Sequence, residues 1–466
     1  MVRIEIDASV AAIARAIAAA GGRALLVGGV VRDRLLGRAS KDLDIEVYGL
    51  ELAVLESLLA RFGEVIAIGR AFGVLRVKGI DCDFSLPRRD NKSGRGHRGF
   101  LVELDPSLDF ATAARRRDLT INSIGQDPLS GEILDPHHGR DDLAAGILRA
   151  TDSRCFGEDP LRGLRVAQFA ARFEFRADDE LLALCRALDL AELPGERLFE
   201  EFRKLLLKGT RPSLGLEVLR ETTMLRFFPE LEAMVGVPQD PHWHPEGTVW
   251  EHTLMVVDEA AAARTGDARD DEIVMFAALC HDLGKPATTV IEDGRVRSPS
   301  HESEGVEPTR RFLARLRAPG DLGAAVEALV EHHLAPAHFT CCGAKPRAYR
   351  RLARKLAAGA VNVRVLWRLA RADHFGRTTA DALARQFPAG DEFLRRAEEL
   401  HVEAQATGDV VLGRHLIARG MTPGPVFGEI LGRCRDIQDE TGWDDPEAIL
   451  ARALGLDTPS EPGGED

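Results

Sequence analysis

The chain has 466 residues, of which 45% are hydrophobic, and its formal net charge at pH 7 is −13. This length and apolar content suffice for two or more domains with sizeable cores, and the acidic balance argues against indiscriminate nucleic-acid binding, although local charge matters more than the total. No run of about eighteen apolar residues is present, so the sequence predicts no membrane-spanning segment.

The chain start and the cysteines indicate the compartment. The first residues, MVRIEIDASV, lack the basic and apolar stretches of a signal peptide. The seven cysteines have irregular spacing, which is typical of reduced thiols and not of a disulfide framework or a zinc site. We therefore expect a cytoplasmic protein without a membrane partner, and the sequence leaves its oligomeric state open.

The predicted elements change in character along the chain. In residues 1–150 the segments DLDIEVYG, EVIAIG, GVLRVKG and CDFSL predict short strands separated by glycine or charged turns. After residue 150, apolar residues recur at three- and four-residue spacing, which indicates helices. The predicted fold class is α+β, with a mixed β-sheet and helices first and all-α regions afterwards. The stretch Val235–Gly247, rich in Pro, Gly and His, predicts a boundary, and residues 457–466 predict a disordered acidic tail.

A glycine turn near the start of the chain precedes a pair of carboxylates. An apolar run ends at Gly28 and Gly29, Arg32 follows on a helix-like segment, and Asp42 and Asp44 come next. Residues two apart in a strand share a face, and two neighbouring carboxylates repel unless a cation such as Mg²⁺ lies between them. Glycines let backbone approach a phosphate closely. The pattern fits a metal-bound nucleoside triphosphate, but an exposed edge strand after a plain turn fits these residues about equally well.

Four motifs in order resemble those of class II tRNA nucleotidyltransferases and bacterial poly(A) polymerases. They are GGVVRDRLLGRASKDLDIEV, RRDLTINSI, GEDPLRGLRVAQFAARFEF and ERLFEEFRKLL, and together they cover about residues 22–210. The resemblance implies a nucleotidyltransferase head over 1–150 and a helical neck with the nucleotide-template motif over 151–235. It also implies that Asp42 and Asp44 bind the catalytic Mg²⁺ ions. Three residues would contact the triphosphate or ribose: Gly29, Arg32 and Arg117.

The template motif is similar to the one that reads the incoming base. The resemblance implies that Asp159 and Arg162 hydrogen-bond to the base and that Arg165 supports them. A carboxylate accepts from an exocyclic amine and a guanidinium donates in a fixed fork, so one such pair suits both C and A. Gln168 stands where relatives often have arginine, and its effect is open. Asp83 occupies the place of an auxiliary acidic residue of the family, and an exposed strand aspartate is the equal alternative.

The implied reaction is the addition of CCA to tRNA 3′ ends from CTP and ATP. These motifs alone do not separate this activity from poly(A) addition or from the addition of CC or A only.

Histidines and aspartates recur in the helical half, and such residues bind divalent metals in mixed nitrogen and oxygen sites. The motif HDLGK, with an upstream histidine and a downstream aspartate, resembles the HD phosphohydrolase superfamily over residues 242–375. The resemblance implies four ligands of a divalent transition metal such as Ni²⁺, Co²⁺ or Mn²⁺: His252, His281, Asp282 and Asp373. His301 and His332 would bind a second metal or the phosphate. Lys285 would meet the phosphate or, more simply, lie in solvent.

The segment HPEGTVWEHTLMVVD is similar to HD domains fused to nucleotidyltransferases, which act on 2′,3′-cyclic phosphates and 2′-nucleotides. ARGMTPGPVFGEIL resembles the helical tail of these fusions, here residues 376–456. The alternative is that the helical half is an RNA-binding scaffold with a degenerate metal site.

Overall fold

The structure is a computed structural model that describes residues 6–39, 43–69, 73–92 and 100–456. It confirms the α+β class. Chain contacts divide the protein into two compact units, and the division follows Pro229. This point lies a few residues before the boundary stretch expected from the sequence. The four domain ranges within 1–456 remain predictions, and the acidic tail 457–466 lies outside the described residues.

The first unit is built on a mixed sheet of seven strands: β1 (Arg23–Val27), β2 (Leu43–Tyr48), β3 (Val65–Gly69), β4 (Val74–Val77), β5 (Cys82–Ser85), β8 (Gly125–Gln126) and β9 (Ile133–Leu134). Their order across the sheet is β3-β4-β5-β2-β1-β8-β9. Strands β6 (Arg88–Lys92) and β7 (Phe100–Leu104) pair antiparallel beside it. The four strands expected from sequence correspond to β2, β3, β4 and β5. The central pair β1 and β2 is antiparallel, and β2 and β5 are parallel.

Helices cover this sheet because their apolar residues recur on one side. They are α1 (Ala8–Ala19), α2 (Gly29–Leu35), α3 (Leu52–Leu59), α4 (Phe110–Ala114) and α5 (Gly139–Ala145). Helix α1 packs on β1 and α3 through the buried residues Ile13 and Ile17. A short 3₁₀ helix, Thr120–Asn122, packs against α2.

A helical layer completes the first unit. It comprises α6 (Ser153–Phe156), α7 (Leu161–Phe173), α8 (Asp179–Arg186), α9 (Gly195–Lys208), α10 (Pro212–Glu221) and the 3₁₀ turn Met224–Phe227, with the short strands β10 (Ile147–Leu148) and β11 (Arg176–Ala177). Helix α7 packs against both α9 and α10 and is buried on most of its length. Its remaining polar side is therefore fixed relative to the sheet.

As far as residue 456, the second unit is helical apart from one antiparallel hairpin. Its first elements are α11 (Pro229–Glu232), α12 (Val249–Ala262), α13 (Ala268–Cys280), α14 (Lys285–Thr288), β12 (Val290–Glu292), β13 (Arg295–Arg297), α15 (His301–Glu304), α16 (Val306–Arg315), α17 (Gly320–His332) and α18 (Ala335–Cys341). The others are α19 (Pro346–Ala358), α20 (Val363–Phe375), α21 (Ala380–Leu383), α22 (Pro388–Glu399), α23 (Gly413–Ala418), α24 (Pro425–Thr441) and α25 (Pro446–Leu454).

Helix α13 is the centre of this unit. Its residues Ile273–Cys280 are buried without a break, because α12, α17 and α20 pack around it. Thr248 and Glu251 form a capping box that fixes the start of α12. Asn362 caps α20 through the backbone N–H of Val365. These helices thus hold their ends, where the histidines and aspartates lie, in defined positions.

All seven cysteines are free thiols. Within the described ranges, no helix combines the length and apolarity needed to cross a bilayer.

Candidate functional site

A cavity of about 410 Å³ in the first unit brings together the predicted nucleotide-binding residues. All seven line it, and so does Asp44: Gly29, Arg32, Arg117, Asp159, Arg162, Arg165 and Gln168. They come from the start of α2, the segment before the 3₁₀ helix, and the beginning of α7. Residues separated by more than 100 positions therefore face one space.

The cavity is strongly basic. Seven arginine and lysine side chains line it against three carboxylates, so it suits a polyanion such as a triphosphate. Several lining residues were not predicted from the sequence: Asp118, Asn122, Phe169, Arg172, Lys204 and Lys208. The signal was present in the helical period, because Arg172 lies seven residues after Arg165 on α7, and Lys208 lies four after Lys204 on α9.

The glycine turn requires glycine for two reasons. Gly28 has φ 74° and ψ −132°, a conformation that L side chains rarely adopt. A Cβ added to Gly28 would also lie 3.1 Å from Nη1 of Arg117, and one added to Gly29 would lie 3.4 Å from Nη2 of Arg32. The turn thus allows two arginines to lie against the backbone at the cavity wall.

Arg32 is buried and held from several sides. Its Nε and Nη2 donate to Oδ1 of Asp33 at 2.9 and 2.7 Å, and its Nη1 donates to Oδ1 of Asn122. The guanidinium lies 4.8 Å from the ring centre of Phe173 and 5.1 Å from that of Phe169. Burial lowers the pKa of Arg32, and Asp33 opposes this effect. Each terminal nitrogen carries a second N–H, so this fixed guanidinium can still donate to a ligand.

Arg165 forms an ion pair at the cavity wall. Its Nε donates to Oδ2 of Asp118 at 2.6 Å. The other Asp118 oxygen accepts from the backbone N–H of Leu119 and from Nδ2 of Asn122, at 2.8 and 2.9 Å. Burial alone would raise the pKa of Asp118, but Arg165 and these hydrogen bonds outweigh it and lower the pKa. Because Asn122 also contacts Arg32, this network links α7 to the glycine turn.

The predicted base-reading pair is engaged within the protein. One oxygen of Asp159 accepts from the backbone N–H of Leu161 at 3.1 Å, and the other pairs with Nη2 of Arg197 at 2.8 Å. Arg162 donates to the carbonyl oxygens of Cys155 and Arg116, both at 2.7 Å. These contacts fix both side chains at the cavity wall. Arg197 was not predicted from the sequence as a partner of Asp159.

Two carboxylates lie on neighbouring strands of the sheet. Asp44 on β2 pairs in register with Asp83 on β5, so the two residues lie side by side on one face. Asp83 forms an ion pair with Nε of Arg76 at 2.6 Å and does not line the cavity. Asp42 lies outside the described residues. Its placement beside Asp44 and the auxiliary role of Asp83 remain predictions.

Glu46 is a buried carboxylate on β2 that was not predicted from the sequence as part of this site. It lies 3.2 Å from Nη2 of Arg116 and 3.8 Å from Nη2 of Arg117, and it accepts from the Tyr48 hydroxyl at 2.6 Å. Burial opposes ionisation of Glu46, but Arg117, Arg116 and Tyr48 outweigh it and lower its pKa. Glu46 thereby ties the arginine motif to the strand that carries Asp44.

A second cluster of side chains lies in the second unit. His252 Nε2 lies 3.1 Å from Oδ1 of Asp373 and 4.0 Å from Oδ2 of Asp282. Oδ2 of Asp282 also lies 3.2 Å from Nε2 of His281, and its Oδ1 lies 3.4 Å from Nε2 of His301. Helices α12, α13, α15 and α20 thus bring together five of the six predicted residues.

The histidines are oriented with one nitrogen toward the cluster. Nδ1 of His281, His301 and His333 each lies 2.8 Å from a backbone carbonyl oxygen, of Ala278, Ser298 and Val330 respectively. Donation from Nδ1 leaves the lone pair of Nε2 for a ligand, as in many metal sites.

Buried polar atoms without hydrogen bonds mark the centre of this cluster. Within the described part of the chain, Nε2 of His281 and of His301 and both oxygens of Asp282 form none of good geometry, although Nζ of Lys285 lies 2.8 Å from Oδ2 of Asp282 in an ion pair. Buried polar atoms normally have partners, and one left unpaired is costly. A divalent cation would satisfy these nitrogen and oxygen atoms together. The residues present therefore fit a divalent metal.

The structure places one of the six predicted residues outside this cluster. The adjacent His333, and not His332, lies in it: the His333 ring centre is 5.2 Å from that of His301 and 5.4 Å from that of His281. Ligand atoms of His333, Asp282 and His301 lie within 4.8 Å of one another. His332 lies instead near Glu331, at 4.0 Å. Neighbouring residues at a helix end point in different directions, and the HH dipeptide alone does not show which one faces inward.

Glu246 was also missed, although it lies in the quoted segment HPEGTVWEH. Its Oε1 lies 2.8 Å from Nδ1 of His252 and 2.9 Å from Nδ1 of His244. Burial would raise the pKa of Glu246, but hydrogen bonds from His244 and His252 outweigh it and lower the pKa. Burial also lowers the pKa of His244 to about 4. Glu246 orients His252 from behind, as carboxylates commonly do for metal-binding histidines.

Two cations border the cluster. Lys285 is buried, contrary to the simpler expectation that it lies in solvent, and its Nζ lies 2.8 Å from Oδ2 of Asp282 and 2.7 Å from Oε1 of Gln239. Arg377 Nη2 lies 3.2 Å from both oxygens of Asp373. Both cations point toward the same cluster, where an anionic ligand would meet them.

Comparison with known proteins gives three matching family models. They are described as Poly A polymerase head domain over residues 24–149, Probable RNA and SrmB-binding site of polymerase A over 179–235, and HD domain over 249–375. The multifunctional CCA protein of Stenotrophomonas maltophilia is 40% identical over 317 residues, which are 66% of this chain and 75% of that protein. That of Xanthomonas campestris pv. campestris is 36% identical, with 88% of this chain and 96% of that protein covered.

Solved structures show the same fold. A CCA-adding enzyme of Bacillus stearothermophilus in complex with CTP matches with a TM-score of 0.67 and 22% identity, covering 97% of this chain and 98% of the other. A CCA-adding enzyme of Thermotoga maritima complexed with tRNA matches with a TM-score of 0.58 and 18% identity, covering 97% and 96%.

Proposed function

We propose that the first unit of this chain adds C, C and A to tRNA 3′ ends from CTP and ATP. The chain belongs to the family of multifunctional CCA proteins, whose members are tRNA nucleotidyltransferases. The observation that carries this proposal is the basic cavity that gathers all seven predicted nucleotide-binding residues with Asp44. The curated relatives carry the CCA activity in their names, and the solved relatives were captured with CTP and with tRNA. The proposed substrates are cytoplasmic, and so is the expected location.

The residues of the cavity have separate roles in the proposed nucleotide addition. The fixed guanidinium of Arg32 and the side chain of Arg117 offer N–H donors to the triphosphate beside the glycine turn. Asp159 and Arg162 line the same cavity and are assigned to the base. Mg²⁺ bound by Asp44 and Asp42 would neutralise charge on the phosphates as the RNA 3′-hydroxyl displaces pyrophosphate.

The deciding experiment uses a tRNA that ends before CCA, with labelled CTP or ATP. Extension by two residues with CTP alone and by a third with both nucleotides supports CCA addition. Long ATP-dependent tails would instead indicate a poly(A) polymerase. Products that stop after CC, or that need a preformed CC end, would indicate the partial activities.

For the second unit we propose a divalent-metal phosphohydrolase that acts on 2′,3′-cyclic phosphates and 2′-nucleotides. Its support is the buried cluster of His281, Asp282 and His301, whose nitrogen and oxygen atoms lack well-formed hydrogen bonds, beside Lys285 and Arg377. We assign the metal to His252, His281, Asp282 and Asp373, with His301 and His333 on the adjoining side. A bound Ni²⁺, Co²⁺ or Mn²⁺ ion would lower the pKa of water and supply hydroxide near neutral pH.

Replacement of Asp282 tests this second proposal. Asp282→Ala removes an anionic ligand, so bound metal measured by elemental analysis should fall sharply and hydrolysis of 2′,3′-cyclic AMP should collapse. Nucleotide addition should continue, because Asp44 belongs to a different site. A wild-type protein that binds no metal and hydrolyses no cyclic or 2′-phosphate would favour the scaffold alternative.

A further inference from the structure

Two cavities in the second unit share a wall at Trp243. The first, here called the metal-side cavity, measures about 490 Å³ and is lined by His301 and Lys285 at the edge of the metal-ligand cluster. The second, here called the aromatic cavity, measures about 810 Å³ and is lined by His374 and Phe387. Trp243 and Arg377 line both. Both volumes are in the range of small-molecule sites, and the proposed function uses only the first.

Trp243 exposes a large aromatic surface at this wall. Its relative exposure is 59%, whereas Trp250, seven residues later, is 1% exposed. The indole contacts the His242 ring edge to face, with ring centres 4.8 Å apart. Aromatic side chains that remain exposed at the mouth of a cavity commonly serve as contact surfaces for ligands, because they offer area at low entropic cost.

The backbone holds Trp243 in place. The N–H groups of Trp243 and His244 donate to the carbonyl oxygen of Asp240 at 3.1 and 2.9 Å, which closes a tight turn. Two residues beyond His244, Glu246 bonds to the metal-ligand candidate His252 and accepts from the backbone N–H of Thr378 at 3.1 Å. These contacts tie the backbone that carries Trp243 to the metal-ligand cluster.

The two cavities differ in character in a way that suits the two parts of a nucleotide. The metal-side cavity is lined by four basic side chains and a single carboxylate: Lys285, Arg295, Arg297 and Arg377, against Asp240. The aromatic cavity is lined by rings: His374 and Phe387 stack on each other with centres 4.4 Å apart and planes at 20°, and Trp243 presents an exposed indole. An anion fits the first cavity and an aromatic base fits the second.

We propose that the aromatic cavity is a nucleoside subsite in which Trp243 stacks on the base, while the phosphate lies in the metal-side cavity. This inference rests on the proposed hydrolase function of the second unit and specifies where the nucleoside of its substrate binds. Stacking on an indole accepts any base, because every base has an aromatic face. The subsite therefore favours nucleotides over phosphate esters without a base and does not distinguish A from C, G or U.

Kinetics on two substrates test the subsite. Trp243→Ala should raise KM for 2′,3′-cyclic AMP by about 5-fold to about 100-fold, the expected effect of losing one base stack, with little change in kcat. The KM for glycerol 2-phosphate, which has no base, should rise much less than the KM for 2′,3′-cyclic AMP. Trp243→Phe should recover most of the KM because it keeps a stacking ring. Leu383→Ala removes a side chain of similar exposure, 68%, that does not line the cavity, and serves as the matched control.

A binding measurement is independent of turnover. Cys341 is exposed and lines the aromatic cavity. In a Cys342→Ser background, bound AMP should slow its alkylation by iodoacetamide, and Trp243→Ala should weaken this protection. If the wild-type protein hydrolyses no phosphate ester, the hydrolase proposal fails, while protection of Cys341 still supports the subsite. An unchanged KM in Trp243→Ala, or a Cys341 that saturating AMP does not protect, would overturn it.

Discussion

Removal of the Arg165 guanidinium should destabilise the first unit in a pH-dependent way. Arg165→Met leaves the carboxylate of Asp118, which is 8% exposed, without its ion-pair partner at 2.6 Å. Breaking a buried ion pair costs about 3–5 kcal/mol. The cost here should be smaller, about 2–3 kcal/mol, because the Arg165 side chain is 34% exposed and Asp118 keeps hydrogen bonds from Leu119 and Asn122.

The pH dependence follows from Asp118. Its pKa is lowered in the native protein, so the ion pair stabilises the fold above the pKa of an unfolded aspartate, about 3.9, and this contribution is lost as pH falls through the lower folded value. Without Arg165, burial dominates and the pKa of Asp118 rises. Protonation then relieves the unpaired charge, so the penalty of Arg165→Met should be largest near pH 8 and smaller near pH 5.

Hydrogen exchange of α7, read by mass spectrometry over Leu161–Phe173, measures the effect locally. Tryptophan fluorescence would report elsewhere, since all four tryptophans lie at or after Trp243. Arg203→Met is the matched control, because its ion pair with Glu200 is exposed and should contribute less than about 1 kcal/mol. A penalty that is equal at both pH values, or no larger than that of the control, would refute the role assigned to the Asp118 ion pair.

Three further changes test the two sites. Asp44→Ala should abolish nucleotide addition, a loss of at least about 1000-fold or roughly 4 kcal/mol, with cyclic phosphodiesterase activity retained; near-normal primer extension would contradict the metal assignment. Asp159→Ala should reduce the preference for CTP and ATP over UTP and GTP more than it weakens triphosphate binding, as shown by single-nucleotide incorporation; full discrimination in the variant would exclude Asp159 as the base reader. His333→Ala should lower the metal content of the purified protein more than His332→Ala, and equal metal loss would remove the distinction between these neighbours.

The sequence predicted both sites in outline because local pattern and motif order carry that information. Strand spacing placed β2 to β5, and helical spacing placed α7 and α9. The motifs around Arg32, Arg117 and Asp159 named residues that the fold then gathers in one cavity. These residues approach one another only after the sheet and α7 pack, so their meeting was implied by resemblance and not by spacing.

Only the tertiary structure determined the partners of each side chain. The periodicity of α17 indicated a buried face but left His332 and His333 equivalent, until packing against α13 and α15 turned one of them inward. Glu46 and Glu246 have the sequence context of an ordinary strand carboxylate and an ordinary loop carboxylate. In the fold, the Glu46 side chain meets Arg116, which is distant in the chain, and the Glu246 side chain meets His252 on the following helix. Sequence determines which face a residue occupies because the backbone repeat is local. The packing of distant elements determines which atoms it meets, and the chemistry of both sites depends on those atoms.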